Sequence, residues 1–307
     1  MKRRDLLTTA IATAALAALP KTANAATNTS KEGPAMTNPA NRPDSGYAPV
    51  NGIELYYEIH GTGKPLVLLH GGFGSFAMFG GMLPTLTAGR QVIGVDLQGH
   101  GHTVPGDRPM SFDAFATDVA ELIKWLGYEK VDVMGYSMGA STALRMAINH
   151  PEVVDRLIST STVHSFAGWH DYNQQGMKSI GLDPVASAEG MKQTPMYAAY
   201  VKEMPDAESN WIKTITLMGA LTGAEYDWSA DIPKITAQTL IIVGDWDAVR
   251  TSHVAQMFEL LGGGKQDAMW DGSGMNKNRL AILPGATHYT MFMDPRLPTT
   301  AIGFLDA

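Results

Sequence analysis

A chain of 307 residues is long enough for one large α/β domain or two small ones, with a sizeable buried core. Hydrophobic residues make up 45% and charged residues 17%, which excludes a disordered chain; a formal charge of −7 leaves no electrostatic footprint for nucleic acid. There is no cysteine, so disulfides, thiol catalysis and cysteine-ligated metals are excluded together.

The first elements in chain order are address rather than fold. Lys2, Arg3 and Arg4 precede an apolar, alanine-rich run from Leu6 to Leu19, and Ala23-Asn24-Ala25 supplies an A-x-A cleavage pattern. Residues 1–25 are therefore predicted to be a signal peptide that directs export, to the periplasm in a bacterial cell. Arg3-Arg4-Asp5-Leu6-Leu7 resembles the twin-arginine signal, with the Sec route left open. The apolar run is shorter than a membrane span needs, and no later segment is long and apolar enough, so no stable span is expected after cleavage. Residues 26–46, rich in Ser, Thr, Asn and Pro, are predicted to be a flexible leader. The folded domain is expected over 47–307.

From there strands and helices alternate. "GIELYYEIHG" has period two and, with Ala48 to Val50, predicts an antiparallel opening ribbon. "PLVLLHGG" and "RQVIGVDLQGHG" are continuous apolar runs that break into glycine loops. "SFDAFATDVAELIKWLG" predicts an amphipathic helix with Phe112, Phe115, Val119, Leu122, Ile123 and Leu126 on one side, ended by Gly127. "KVDVMGYS", "VVDRLISTST", "AQTLIIVGDWD" and "NRLAILPGATH" complete the strands. Strands buried on both faces and separated by helices predict an α/β fold with a mostly parallel sheet covered on both sides. The alternation breaks from about 164 to 231, where helical positions and many aromatics and methionines predict an inserted helical cap whose apolar residues pack mainly on one another.

Between Met134 and Ala140 the period switches from strand to helix, across Gly135-Tyr136-Ser137-Met138-Gly139. A nucleophilic serine needs its hydroxyl clear of the backbone, and a tight strand–turn–helix corner provides that. The corner crowds the positions two before and two after, hence Gly135 and Gly139. The helix then starts at the nucleophile, and its free amides favour negative charge, so the Met138 amide is placed to receive an oxyanion.

A serine hydroxyl is inert without a base, so a histidine and a carboxylate are required downstream. "LIIVGDWDAV" and "LAILPGATHYTMF" each run a buried strand into a polar loop. They offer Asp247 to orient the imidazole and His288 to shuttle the proton. Asp245 stays open as an alternative acid. His100, His102, His164 and His170 are further histidines; His100 and His102 sit in the early loop after Asp96, and His164 and His170 lie in or near the cap, where neither is expected to follow a sheet strand. The second oxyanion donor is expected from "LLHGGFGSF", with the Gly72 amide first and Phe73 second. His70 is read as a brace for that loop.

The body from about Tyr47 onward resembles the α/β-hydrolase fold superfamily, in its serine-nucleophile, esterase- and haloperoxidase-like branch. The matching motifs are "HGG" at His70–Gly72, "DLQGHGHT" at Asp96–Thr103, "GYSMG", "GDWDAV" and "PGATH". The resemblance implies an eight-stranded-type sheet, the chain order Ser137, Asp247, His288, and a structural role for Asp96 and the Gly99–Gly101 loop beside the active site. Gln98, His102 and Thr251 depart from the usual pattern. So does "GGGKQDAMWDGSGMNKN" at Gly262–Asn278, a polar insertion expected to be a surface flap or a plain loop, its ends near the histidine loop.

The function expected is an exported serine hydrolase acting on a carboxylic ester through an acyl-enzyme, with no cofactor and no metal. Its partner is a small-molecule substrate, with an apolar or aromatic group suggested by the cap. A serine at the nucleophile position argues against haloalkane dehalogenases and epoxide hydrolases, which use aspartate there. Carbon–carbon bond hydrolases, lactonases, cofactor-free perhydrolases and proline iminopeptidases share the triad and stay open. So does a non-enzymatic ligand-binding member of the fold.

Overall fold

The computed structural model describes residues 44–307. Residues 1–25, expected to be an export signal, and nearly all of the expected leader lie outside the described residues. The first strand starts at Ser45, slightly ahead of the expected domain start near Tyr47. Eight strands form one sheet: β1 (Ser45–Val50), β2 (Ile53–His60), β3 (Lys64–Leu69), β4 (Arg90–Asp96), β5 (Val131–Tyr136), β6 (Val154–Thr160), β7 (Gln238–Trp246) and β8 (Arg279–Thr287). Their order is β1-β2-β4-β3-β5-β6-β7-β8. The β1–β2 and β2–β4 pairs are antiparallel and all later pairs parallel, as the sequence pattern predicts. The opening hairpin turns on Asn51 and Gly52, both at positive φ (47° and 80°), the geometry that matches strand twist.

The helices are α1 (Leu83–Thr87), α2 (Phe112–Trp125), α3 (Met138–Asn149), α4 (Asp171–Leu182), α5 (Pro184–Met191), α6 (Pro195–Glu203), α7 (Ala207–Gly223), α8 (Thr251–Leu260) and α9 (Arg296–Leu305). Side chains alternate across a strand, so the run Leu66-Val67-Leu68-Leu69 feeds two cores. Leu66 and Leu68 join Met134, Ile158, and Leu297 and Phe304 of α9. Val67 and Leu69 join Phe115, Val119 and Leu122 of α2 and Leu144 of α3. This double burial is why the central strands read as unbroken apolar runs. Strand β8 is different: it forms the sheet edge, and Ile282 is 47% exposed because no strand lies beyond it.

Helix α2 starts where Ser111 accepts from the Ala114 amide (3.0 Å) and stops before Gly127 at φ 81°. Four helices, α4 to α7, lie between β6 and β7 and cover the carboxyl end of the sheet. Their starts are written locally: Asp183 and Thr194 cap α5 and α6, each followed by proline in the first turn. They enclose a small core of Ala188, Tyr200, Met204, Trp211 and Ile215. The Trp211 indole donates to the Ala188 carbonyl (2.9 Å). Among the described residues no helix is long and apolar enough to cross a membrane.

The Gly262–Asn278 insertion requires a correction, because its ends are not near the histidine loop. Asn276 and Asn278 donate to the Leu261 carbonyl, and Asn278 accepts from the Thr239 amide at the start of β7 (2.9 Å). Strand β8 then runs nine residues before His288, roughly 30 Å at ~3.3 Å per residue, so the insertion lies at the opposite end of the sheet.

Candidate active site

Ser137 stands alone between β5 and α3 at φ 53°, ψ −116°, a conformation that non-glycine residues seldom adopt. The surroundings impose it. Its amide donates to the Thr160 carbonyl (2.9 Å), and its own carbonyl accepts from the Ser141 amide (3.0 Å). A Cβ on Gly135 would stand 2.2 Å from the Gly139 carbonyl oxygen, and one on Gly139 would stand 2.2 Å from that of Leu69. Both contacts are with backbone, which cannot swing aside.

Loops leaving the carboxyl ends of β5, β7 and β8 bring three distant residues together. Ser137 Oγ lies 3.0 Å from His288 Nε2, and His288 Nδ1 lies 2.8 Å from Asp247 Oδ1. An ionised carboxylate only accepts, so Nδ1 carries the hydrogen and Nε2 is left to accept from the serine hydroxyl. Burial alone would push the Asp247 carboxyl up, but His288, the Ser161 hydroxyl and the Val249 amide together hold it below the usual carboxylate range. It is therefore an anion facing the ring. The Tyr136 hydroxyl donates to the His288 carbonyl (2.5 Å), tying the histidine loop to the end of β5.

The other candidates fall elsewhere. Asp245 accepts from the Gly285 amide (2.7 Å) and faces solvent, which leaves Asp247 as the acid beside His288. A register shift between Gly244 and Trp246 separates the two carboxylates. His100 is buried, and burial with the neighbouring His70 pushes it down to about 3. His164 is stacked on His253 (ring centroids 3.9 Å), and His170 precedes α4 at the surface. His70 bridges two loops: Nδ1 donates to the Gly71 carbonyl (2.8 Å) and Nε2 accepts from the Leu97 amide (3.0 Å).

Asp96 takes hydrogen bonds from the Phe76 and His102 amides and from His102 Nδ1. A Cβ on Gly101, at φ 52°, would meet this carboxylate at 2.1 Å, so the loop needs glycine there. Ligand atoms of Asp96, His102 and Glu203 lie within 4.8 Å of one another, the one such grouping found among the described residues. Hydrogen bonds already occupy both Asp96 oxygens, and the three form a polar tie between the body and the end of α6.

A Cβ on Gly71 would lie 3.5 Å from the Ser137 Cβ; Gly72 and Phe73 follow it in that loop, and Met138 follows the serine. The Met138 amide opens α3 and has no intrahelical acceptor. Gly74 donates to the Gly71 carbonyl (3.2 Å), closing a turn with Phe73 at φ 58°. A Cβ on Gly72 would lie 3.3 Å from the Met218 methyl and 3.9 Å from the Met138 sulfur. Trp169 sets its ring edge-on to His288 at 5.5 Å. The groups that pack on this loop and on His288 are thus apolar. Cavities of about 250 and 210 Å³ open beside Tyr226, and no triad residue lines either.

Sequence reasoning missed Tyr136, Ser161 and Trp169 as neighbours of the triad. Tyr136 was in view as the residue before the serine, but nothing local indicates that its hydroxyl reaches the histidine loop.

The comparisons with known proteins agree with this architecture. A family model described as alpha/beta hydrolase fold matches residues 64–181. A soluble epoxide hydrolase of Corynebacterium sp. (strain C12) is 41% identical over 113 residues, 36% of this chain and 38% of that protein. An sn-1-specific diacylglycerol lipase of Xenopus laevis is 36% identical over 112 residues, 35% of this chain and 36% of the lipase. The chain therefore spans well under half the length of these curated relatives. The crystal structure of a hydrolase from Pseudomonas aeruginosa PA01 superposes with a TM-score of 0.66 at 21% identity, covering 87% of this chain and all of that one. Sheet order, the serine corner and these likenesses together show that the chain has the α/β-hydrolase fold.

Proposed function

We propose that the protein is a serine hydrolase that cleaves a carboxylic ester through an acyl-enzyme. The observation that carries the reading is the unbroken chain of hydrogen bonds from Ser137 Oγ through His288 to Asp247. As Ser137 Oγ attacks the ester carbon, its proton passes to His288 Nε2, and Asp247 stabilises the imidazolium. The carbonyl electron pair moves onto oxygen, where the Met138 and Gly72 amides receive it, with Phe73 the second choice in that loop. Collapse breaks the bond to the alcohol oxygen, which takes the proton from His288 and leaves. Water then gives a proton to His288 and adds its oxygen to the acyl carbon. The Ser137–acyl bond breaks, His288 returns the proton to Oγ, and the carboxylic acid departs. None of these steps needs a cofactor or a metal ion.

The relative with epoxide hydrolase activity does not carry that chemistry here, because opening an epoxide on this fold uses an aspartate where this chain has Ser137. The likeness to a diacylglycerol lipase supports an ester. Phe73, Met138, Trp169 and Met218 around the serine favour an apolar or aromatic acyl group. The basic start, apolar run and A-x-A pattern of residues 1–25 support export by the twin-arginine or Sec route. Replacing Arg3 and Arg4 by lysine separates the two, since unchanged export eliminates the twin-arginine route.

Ser137→Ala is expected to fold as the wild type and to lower kcat on p-nitrophenyl acetate by more than about a thousandfold. Turnover at the wild-type rate would refute the proposal. A panel of esters, lactones and carbon–carbon substrates ranks the chemistries that share the triad. Failure of a fluorophosphonate to label Ser137 would favour a ligand-binding protein.

A further inference from the structure

We propose that Ser161 is a positioning residue for Asp247, a fourth member of the hydrogen-bonded chain; this rests on the triad reading above. The end of strand β6 and the turn after it carry four buried hydroxyl residues, Ser159, Thr160, Ser161 and Thr162. Thr162 pairs with Ser141 of α3 (2.6 Å), while the hydroxyls of Ser159 and Thr160 have no partner. Ser161 alone reaches the acid: its Oγ donates to Asp247 Oδ2 at 2.7 Å. The other carboxylate oxygen, Oδ1, faces His288 and accepts from the Val249 amide (3.2 Å). A carboxylate held at both oxygens cannot rotate about its own bond, so the oxygen that faces the imidazole stays in plane with it.

The backbone supplies an independent sign. Ser161 sits at φ 55°, in the left-handed region where glycine is free and a side chain is strained. Its amide donates to the Ile242 carbonyl (2.8 Å), which fixes that turn beside β7. Glycine would serve the conformation better. A serine there retains one thing glycine lacks, the hydroxyl on Asp247.

Stability and catalysis can therefore be separated at this position. Ser161→Gly loses the hydroxyl and the strain together, whereas Ser161→Ala loses the hydroxyl and keeps the strain. Both variants are expected to lower kcat on p-nitrophenyl acetate about tenfold, with KM within about twofold of wild type, as for one hydrogen bond to a charged group. Fluorophosphonate labelling of Ser137 should slow in parallel. Thermal unfolding should place the glycine variant above the alanine variant, so that kcat follows the hydroxyl and Tm follows the strain. Wild-type kcat in Ser161→Gly, or losses of kcat that scale with the losses of Tm, would overturn the role of Ser161 while leaving the triad intact. Full turnover by Ser137→Ala run alongside would overturn both.

Discussion

In the body, a single strand such as β3 is gripped from both sides, Leu66 and Leu68 by one core and Val67 and Leu69 by the other. In the cap, Trp211 gathers a cluster of five buried residues, and α4 buries no residue completely. The same chemistry of apolar burial thus yields a doubly covered sheet in one region and, in the other, a small separate cluster beside a helix that also sends Met218 and Leu221 into the body core. The placement of the candidate site follows. Ser137, Asp247 and His288 all stand on loops anchored in the sheet, while the cap contributes Met218 and Trp169, apolar residues over the reacting groups. Phe73 belongs to both regions, packing on the body core and on the cap cluster. Another link is Thr214 of α7, which donates to the Gly99 carbonyl (3.3 Å).

The sharpest test of this contrast is Trp211→Ala. A fully buried tryptophan cut to alanine costs about 3–5 kcal/mol. Confined to the cap, that loss should open residues 171–223 to limited proteolysis while the main thermal transition of the body moves little. A single cooperative transition that falls without cap-selective cleavage would show cap and body to be one unit.

A smaller effect is expected at the polar tie. Burial, with the nearby charge of Asp96, pushes the Glu203 carboxyl up, against the pull of Ser75 and His102. Burial lowers His102, but Asp96 outweighs it and leaves the imidazole above its usual value. Both folded groups therefore hold a proton more tightly than the unfolded chain does. The stability from His102 is complete below about pH 6.5 and is lost as pH rises through its raised value. The cost of charging Glu203 appears as pH rises above about 4.5 and through its own raised value. Mild acid should tighten the cap. Glu203→Gln should remove part of this dependence and gain less than about 1 kcal/mol at pH 7, after allowance for solvent screening at a partly buried group. Proteolysis of the cap across pH 5 to 8 measures it, and a cap that loosens on acidification contradicts the sign.

The serine corner was legible because its demand is local. Backbone crowding admits only glycine at Gly135 and Gly139, and the change from strand to helix period is written in consecutive residues. The loop with Asp245 and Asp247 and the loop with His288 were legible for a related reason, since each follows a buried apolar run that had to be a sheet strand. Asp245 and Asp247 could not be separated this way. Two residues apart, they share a strand face, and the shift in β7–β8 pairing that turns one to the Gly285 amide and the other to His288 exists only once the strands pair. The insertion was misplaced because proximity in sequence to His288 ignored the length of β8. Ser161 was hidden among four hydroxyl residues with the same composition and burial.

The order of elements, the sheet type, the corner with Ser137 and the loops that carry His288 and the Asp245–Asp247 pair followed from the sequence alone, because periodicity and backbone crowding act between near neighbours. Which hydroxyl meets Asp247, which face Asp245 turns to, where the insertion lies and that Met218 packs by Gly72 and Trp169 by His288 were decided by the tertiary structure. Those contacts join residues tens to hundreds of positions apart, and only the paired register of the strands and the docking of the cap bring them into reach.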